Sequence, residues 1–176
     1  MPFDLRAKMT EIDAALIRYG ELAVIGRQVE GGHAPWYLSF LTAVSYAIGD
    51  TPVEVAYSTV SSDGRSAHAF VLAGDLLVRV TITDIPESGA TEDVEKHEVT
   101  VIPRRTLREI QIDATRTRWV SNSQRDVGLT VTAIYAEGDP ITISGPGEGN
   151  WSIAPIIEAL RNDLRSSVAA TAVAEP

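Results

Sequence analysis

The residues best suited to chemistry in this sequence are arginines that cluster over a short stretch. Between residues 103 and 118, where only Glu109 and Asp113 oppose them, lie five arginines followed by a tryptophan: Arg104, Arg105, Arg108, Arg116, Arg118 and Trp119. Guanidinium groups form paired hydrogen bonds with carboxylate and phosphate groups. The cluster therefore predicts a binding surface for an acidic protein segment, a phosphorylated group or nucleic acid. In the alternative interpretation, the same arginines protect edge strands from aggregation and pair with acidic residues at 84–98.

The overall composition narrows the class of partner. The net charge of -9 argues against a nucleic-acid binder, because such proteins need a basic face to displace counterions. The absence of cysteine excludes disulfides and thiolate ligands and fits a cytoplasmic location. No spacing of titratable residues indicates a catalytic set, a metal site or a cofactor, so we expect no enzyme from these motifs. The skew towards arginine over lysine suggests a bacterial or phage source.

Two patterns at helical spacing predict a two-helix extension over residues 1–50. The first helix spans Asp4 to Tyr19 and ends at Gly20, with an apolar stripe of Leu5, Met9, Ile12, Leu16 and Tyr19. The second spans Pro35 to Ile48, where Pro suits a first helical position and Gly49 a stop. The longest apolar stretch, Ala34 to Ile48, is shorter than the roughly 20 residues that a membrane-spanning helix needs.

The second helix is apolar around most of its circumference, so it must be covered on several sides. Burial in the core is one way to cover it. A two-fold partner is another, and it predicts a homodimer. The interface would then contain five apolar side chains of this helix: Trp36, Tyr37, Phe40, Leu41 and Val44.

Alternating apolar and polar residues predict seven short antiparallel strands in a domain over residues 51–165. Their expected ranges are Val53–Val60, Ser66–Ala73, Leu76–Thr83, Val94–Ile102, Leu107–Asp113, Val127–Ala136 and Ile141–Ser144. An amphipathic helix follows, with the stripe Ile153, Ile156, Ile157, Leu160 and Leu164, and residues 166–176 are expected to form a flexible tail. The predicted fold is a single α+β domain. It is a seven-stranded antiparallel partly open barrel or sandwich with a C-terminal capping helix and the N-terminal extension.

This order of elements, four strands, three strands and a capping helix, resembles the pleckstrin homology-like superfold. The likeness covers Val53 to Arg165, and within it FVLAGDLLVRV (Phe70 to Val80) and VIPRRTLREI (Val101 to Ile110) are similar to bacterial examples. The resemblance implies a recognition module for lipids, peptides or proteins. The first hairpin loop departs from the lipid-binding members, because it offers only one basic residue, Arg65.

Together these observations predict a non-enzymatic module that binds a protein partner and self-associates. The competing hypothesis is a small-ligand carrier or an enzyme whose pocket lies inside the sheet, built from polar groups on distant strands.

Overall fold

The computed structural model of the protein describes residues 3–27, 32–86, 96–116, 127–146 and 152–174. These residues form an α+β structure with two antiparallel sheets. The helices are α1 (Leu5–Tyr19), α2 (Leu22–Gly26), α3 (Pro35–Ile48) and α4 (Ala154–Ala174). The strands are β1 (Val53–Val60), β2 (Ala67–Ala73), β3 (Leu76–Thr83), β4 (Lys96–Pro103), β5 (Leu107–Arg116), β6 (Val127–Tyr135) and β7 (Ile141–Pro146).

The chain divides into two compact units, Met1–Ile102 and Pro103–Pro176. The first contains α1 to α3 and a four-stranded sheet in the order β1-β2-β3-β4, and the second contains a three-stranded sheet in the order β5-β6-β7 and α4. The α+β class and the grouping of strands as four then three are confirmed. The described strands form two separate sheets and no closed barrel, and the boundary between the units falls inside the predicted domain of residues 51–165.

The sheet of the first unit is a meander, and its tightest turn joins β2 to β3. The β2 and β3 strands pair from Ala73 opposite Leu76 to Ala67 opposite Ile82. The link between them, Gly74-Asp75, has Gly74 at φ +54°, a left-handed conformation that glycine adopts without a steric cost. The turn therefore sets the register that places the small and branched residues of both strands on one face.

Helices α1 and α3 cover that face of the sheet. Asp4 caps α1 by accepting a hydrogen bond from the Ala7 amide at 3.0 Å, and the helix buries Ile12 and Leu16 fully. The opposing strand positions include several alanines, which leave room for bulky helix side chains. These alanines are Ala56, Ala67, Ala69 and Ala73.

The covering of α3 corrects its predicted role as an interface. The five side chains assigned to that interface, Trp36, Tyr37, Phe40, Leu41 and Val44, are at most 3% exposed within the single chain. They pack in the core of the first unit, where α1 and the sheet surround the helix. They are not available to a second copy, so these five residues give the homodimer no structural support, and the homodimer stays a prediction.

Gly20, directly after α1, lies against the outer edge of β1. It forms a parallel bridge with Ser58, and the Leu22 amide donates to the Ser58 hydroxyl at 3.0 Å. A Cβ on Gly20 would contact the Ser58 hydroxyl and would lie 2.8 Å from the Ser58 backbone nitrogen. The close approach of two backbones explains the glycine, because its φ of -153° is accessible to any residue.

We expect Gly20→Ala to lower the free energy of unfolding by about 1 to 3 kcal/mol, because the added methyl group must push β1 away from the chain after α1. Urea unfolding followed by circular dichroism measures the change. Gly32→Ala is the matched control, since a Cβ there meets nothing within 4 Å. An equal effect of both substitutions would contradict the close packing at Gly20.

In the second unit, α4 packs on one face of the three-stranded sheet. The buried strand residues Val131, Ala133, Ile141 and Ile143 share this face. The helix α4 contributes the buried side chains Ile156, Ile157 and Leu160, and Ile153, just before the helix, is also buried. The opposite face is polar, with hydrogen bonds between the hydroxyls of Thr130 and Ser144 at 2.9 Å and between those of Thr132 and Thr142 at 3.2 Å. The sheet therefore has one covered and one solvated face, as is common in antiparallel sheets.

The C-terminal helix is longer than the sequence pattern indicated. It begins after Ser152, whose hydroxyl accepts from the Ala154 amide at 3.1 Å, and it continues to Ala174 through the segment expected to be a tail. The alanines of this segment have high helix propensity although they form no apolar stripe. Among the described residues, no helix has both the length and the apolar composition required to cross a membrane.

Candidate functional site

The arginines of the predicted binding surface have different structural roles. Arg104 begins a single 3₁₀ turn, Arg104–Thr106, between β4 and β5, and its side chain is only 8% exposed. Its Nε donates to Oδ2 of Asp163 and its Nη2 to Oδ1 of the same carboxylate, both at 2.8 Å. This paired contact fastens the turn to α4. Arg104 is therefore a structural residue whose partner is Asp163, and its assignment to an exposed surface is corrected.

Arg105 and Arg108, in contrast, are exposed. Neither forms an ion pair with any residue that the structure describes. Both line an open groove of about 340 Å³ beside Leu164 and Ser167 of α4, and the Ser167 hydroxyl donates to the Arg105 carbonyl at 3.0 Å. Arg116 is the last residue of β5, with only its backbone described, and Arg118 and Trp119 lie outside the described residues.

A larger open groove, of about 500 Å³, lies between α4 and the sheet of the second unit. Its apolar part contains Ile112 of β5, which is 39% exposed, and Leu129 of β6. The α4 side of the groove consists of Ala154, Ile157, Glu158, Arg161, Asn162 and Arg165. The groove thus combines uncovered apolar surface with two arginines one helical turn apart.

The two grooves follow the same α4 and β5 elements and carry the same sign of charge. Among the described residues that line them, the two grooves together contain Arg105, Arg108, Arg161 and Arg165, against one acidic residue, Glu158. Arg165 donates to the Asn162 side chain at 3.3 Å, and Arg161 has no ion-pair partner in the described part of the chain. Exposed guanidinium groups without counterions favour an anionic ligand.

A second cluster of titratable side chains lies in the first unit, around Asp13 of α1. This carboxylate is 7% exposed and accepts hydrogen bonds from the Tyr37 hydroxyl at 2.8 Å, from Arg27, and from His33 Nε2 at 3.3 Å when that nitrogen carries a proton. The His33 ring stacks on Tyr37 with centroids 5.5 Å apart. The cluster joins α1 to the chain on either side of residues 28–31.

The environment of Asp13 stabilises its charged form. Burial alone would raise the pKa of the carboxyl, but hydrogen bonds from Arg27 and Tyr37 and the charge of Arg27 outweigh it and lower this pKa. Burial and the neighbouring Asp13 charge raise the pKa of the Tyr37 hydroxyl, which therefore stays protonated as a donor. Because all three neighbouring side chains hydrogen-bond to the carboxylate, we interpret the cluster as a structural contact that links α1 to α3.

Comparison of the chain with protein-family models, with curated proteins and with solved structures found no match. The grooves of the second unit and the charges around them are therefore the main indication of function.

Proposed function

We propose that the protein is a non-enzymatic interaction module whose second unit binds an acidic, partly apolar segment of another protein along α4 and β5. The observation that supports this most directly is the larger groove, where the exposed part of Ile112 lies beside Arg161 and Arg165. Apolar surface next to unpaired guanidinium groups suits a ligand that has both apolar and carboxylate side chains.

The charge distribution supports an acidic protein segment over a polyanion. The chain has a net charge of -9, so its surface as a whole repels nucleic acid, and attraction is confined to the arginine-lined grooves. A short acidic segment fits that local patch and exposes little further negative charge to the rest of the chain. Complementary charge of this kind speeds association and selects the partner, while apolar burial contributes affinity.

The competing hypothesis of a small-ligand carrier or enzyme has weaker support. The grooves described above are open to solvent, and the converging titratable groups around Asp13 already satisfy one another. Neither feature offers a reactive group next to an enclosed space.

We expect the double variant Arg161→Glu/Arg165→Glu to bind an acidic probe at least about tenfold more weakly than the unchanged protein, since even one lost charge-assisted contact is worth about 1.4 kcal/mol. The probe is a peptide with two copies of the repeat Thr-Glu-Thr-Val. Binding is measured by nuclear magnetic resonance titration, and it should weaken with added salt because exposed charges are screened.

The matched control is Arg6→Glu/Arg18→Glu, which makes the same change of charge at two exposed positions of α1 in the first unit. This control should bind the probe nearly as well as the unchanged protein. Equal losses in both double variants would show that only net charge matters, and would reject the groove as the site.

A further inference from the structure

Two of the outer strands in the described sheets, β1 and β5, differ in how far their free edges are covered. Along β1, the Val53 amide donates to Glu11 Oε1 at 2.7 Å and the Val60 amide donates to Glu21 Oε2 at 3.1 Å. Between them, Gly20 bridges Ser58. Backbone and side-chain groups from α1 and from the residues just after it thus occupy the free edge of β1, as expected for a strand protected from further pairing.

The strand β5 has no comparable cover from the described residues of its own unit. It is ten residues long and pairs with β6 from Leu107 opposite Tyr135 to Arg116 opposite Val127, with a register shift at Arg108 and regular pairing from Glu109 onwards. Its other edge has no partner strand in the described sheet, whose order is β5-β6-β7. A long edge with unpaired amide and carbonyl groups is a template for one more strand.

The face of β5 that looks towards α4 is also incompletely covered. Ile110 and Ile112 lie opposite the buried Ala133 and Val131, so they belong to the apolar face, yet Ile112 remains 39% exposed. Side chains of an added strand on this face would lie about 5 Å from Ile110 and Ile112. They would extend the apolar face beside Ile157 and come within reach of the arginines of α4.

We propose that the acidic partner segment binds in extended conformation and pairs its main chain with the free edge of β5, adding a fourth strand to this sheet. The inference rests on the proposed function and specifies how that ligand binds. Backbone pairing would supply affinity, and alternate side chains facing α4 would supply selectivity for apolar and acidic residues.

The occupant is a segment of a different protein in preference to a second copy of this chain. Two copies paired antiparallel through β5, about a two-fold axis perpendicular to the sheet, would bring their α4 helices to the same face of the joined sheet. Their Arg161 and Arg165 side chains would then face the same arginines of the other copy, which is unfavourable. An acidic segment neutralises these charges.

The test uses the full-length protein and the Thr-Glu-Thr-Val probe in three forms: unmodified, N-methylated at the threonines, and N-methylated at the glutamates and valines. Successive amides of a strand point to opposite edges, so each methylated form blocks one edge of the peptide. We expect one methylated form to lose at least about tenfold in affinity, because several hydrogen bonds are lost, while the other binds like the unmodified peptide. Alternate amides of residues 107–116 should exchange more slowly in the complex.

Equal behaviour of the two methylated peptides, whether both bind or both fail, would overturn strand addition. Unchanged amide exchange along β5 at saturating peptide would also overturn it. If Arg161→Glu/Arg165→Glu still loses binding in either case, the proposed function stands and only strand addition is rejected.

A probe with lysine in place of glutamate tests the proposed function separately, since binding as tight as that of the glutamate probe would reject the acidic partner. A second copy as occupant would appear instead as a concentration-dependent dimer with slowed β5 exchange in the absence of peptide.

Discussion

Replacing Arg104 with alanine is expected to lower the free energy of unfolding of the second unit by about 3 to 5 kcal/mol. The substitution leaves the Asp163 carboxylate, only 11% exposed, without the guanidinium group that donates to both of its oxygens. A buried charge without its partner is among the most destabilising changes in a protein core. Urea unfolding followed by circular dichroism, together with amide exchange of β6, measures the loss.

The neighbouring Arg105→Ala is the matched control, because its exposed side chain has no ion pair in the described structure and should change stability by no more than about 0.5 kcal/mol. The double variant Arg104→Met/Asp163→Leu should recover much of the stability, since it removes both charges and keeps apolar volume. If Arg104→Ala were as mild as Arg105→Ala, the buried ion pair would not stabilise the fold.

The second large effect is expected in the first unit, where Asp13→Ala should cost about 3 kcal/mol. The fully buried Tyr37 hydroxyl would lose its acceptor, and Arg27 and His33 would lose a shared anion. The contribution of Arg27 is modest because its side chain is 46% exposed and partly solvated. Asp13→Asn retains an acceptor for Tyr37 and should cost about half as much. Thermal or urea unfolding of the three proteins at neutral pH tests this ranking. Equal stabilities would contradict a stabilising contact between Asp13 and its neighbours.

The free energies of unfolding of the unchanged protein and of Asp13→Asn should also differ in their dependence on pH. The folded state lowers the pKa of Asp13 below its ordinary value of 3.8, so the stabilisation by the carboxylate is fully present above that value. It is lost as the pH falls through the lower folded pKa. The stability difference between the unchanged protein and Asp13→Asn should therefore shrink below about pH 4. A difference that stayed constant down to pH 2 would show that the charge of Asp13 is unimportant.

Local patterns predicted the individual elements well. The ranges Pro35–Ile48, Val53–Val60 and Leu76–Thr83 agree between sequence and structure, because glycine, proline and a clear change of period mark their ends. The short helix Leu22–Gly26 was missed, since five residues give no periodic signal. The division of the chain into two compact units was missed as well, because it depends on tertiary contacts that no local pattern encodes.

The candidate site was predicted only in part for the same reason. The sequence identified Arg105 and Arg108 but could not separate them from Arg104, since only the position of Asp163, far along the chain, distinguishes an ion-paired arginine from an exposed one. Arg161 and Arg165 are four residues apart beside the apolar stripe of α4, and this spacing could have indicated from the sequence that both lie on one side of the helix, next to the groove. The pleckstrin homology-like resemblance, the cytoplasmic location and the homodimer stay predictions.

The meander order of both sheets has a consequence for how quickly the chain can fold. Within each sheet, every strand pairs only with strands adjacent to it in the sequence. Pairing therefore closes short loops, which cost little chain entropy, and proteins dominated by such contacts cross their folding barrier faster than those with distant strand pairs. During synthesis, all the sheet partners of the first unit have been made before the second begins, so its hairpins can form while the ribosome is still extending the chain.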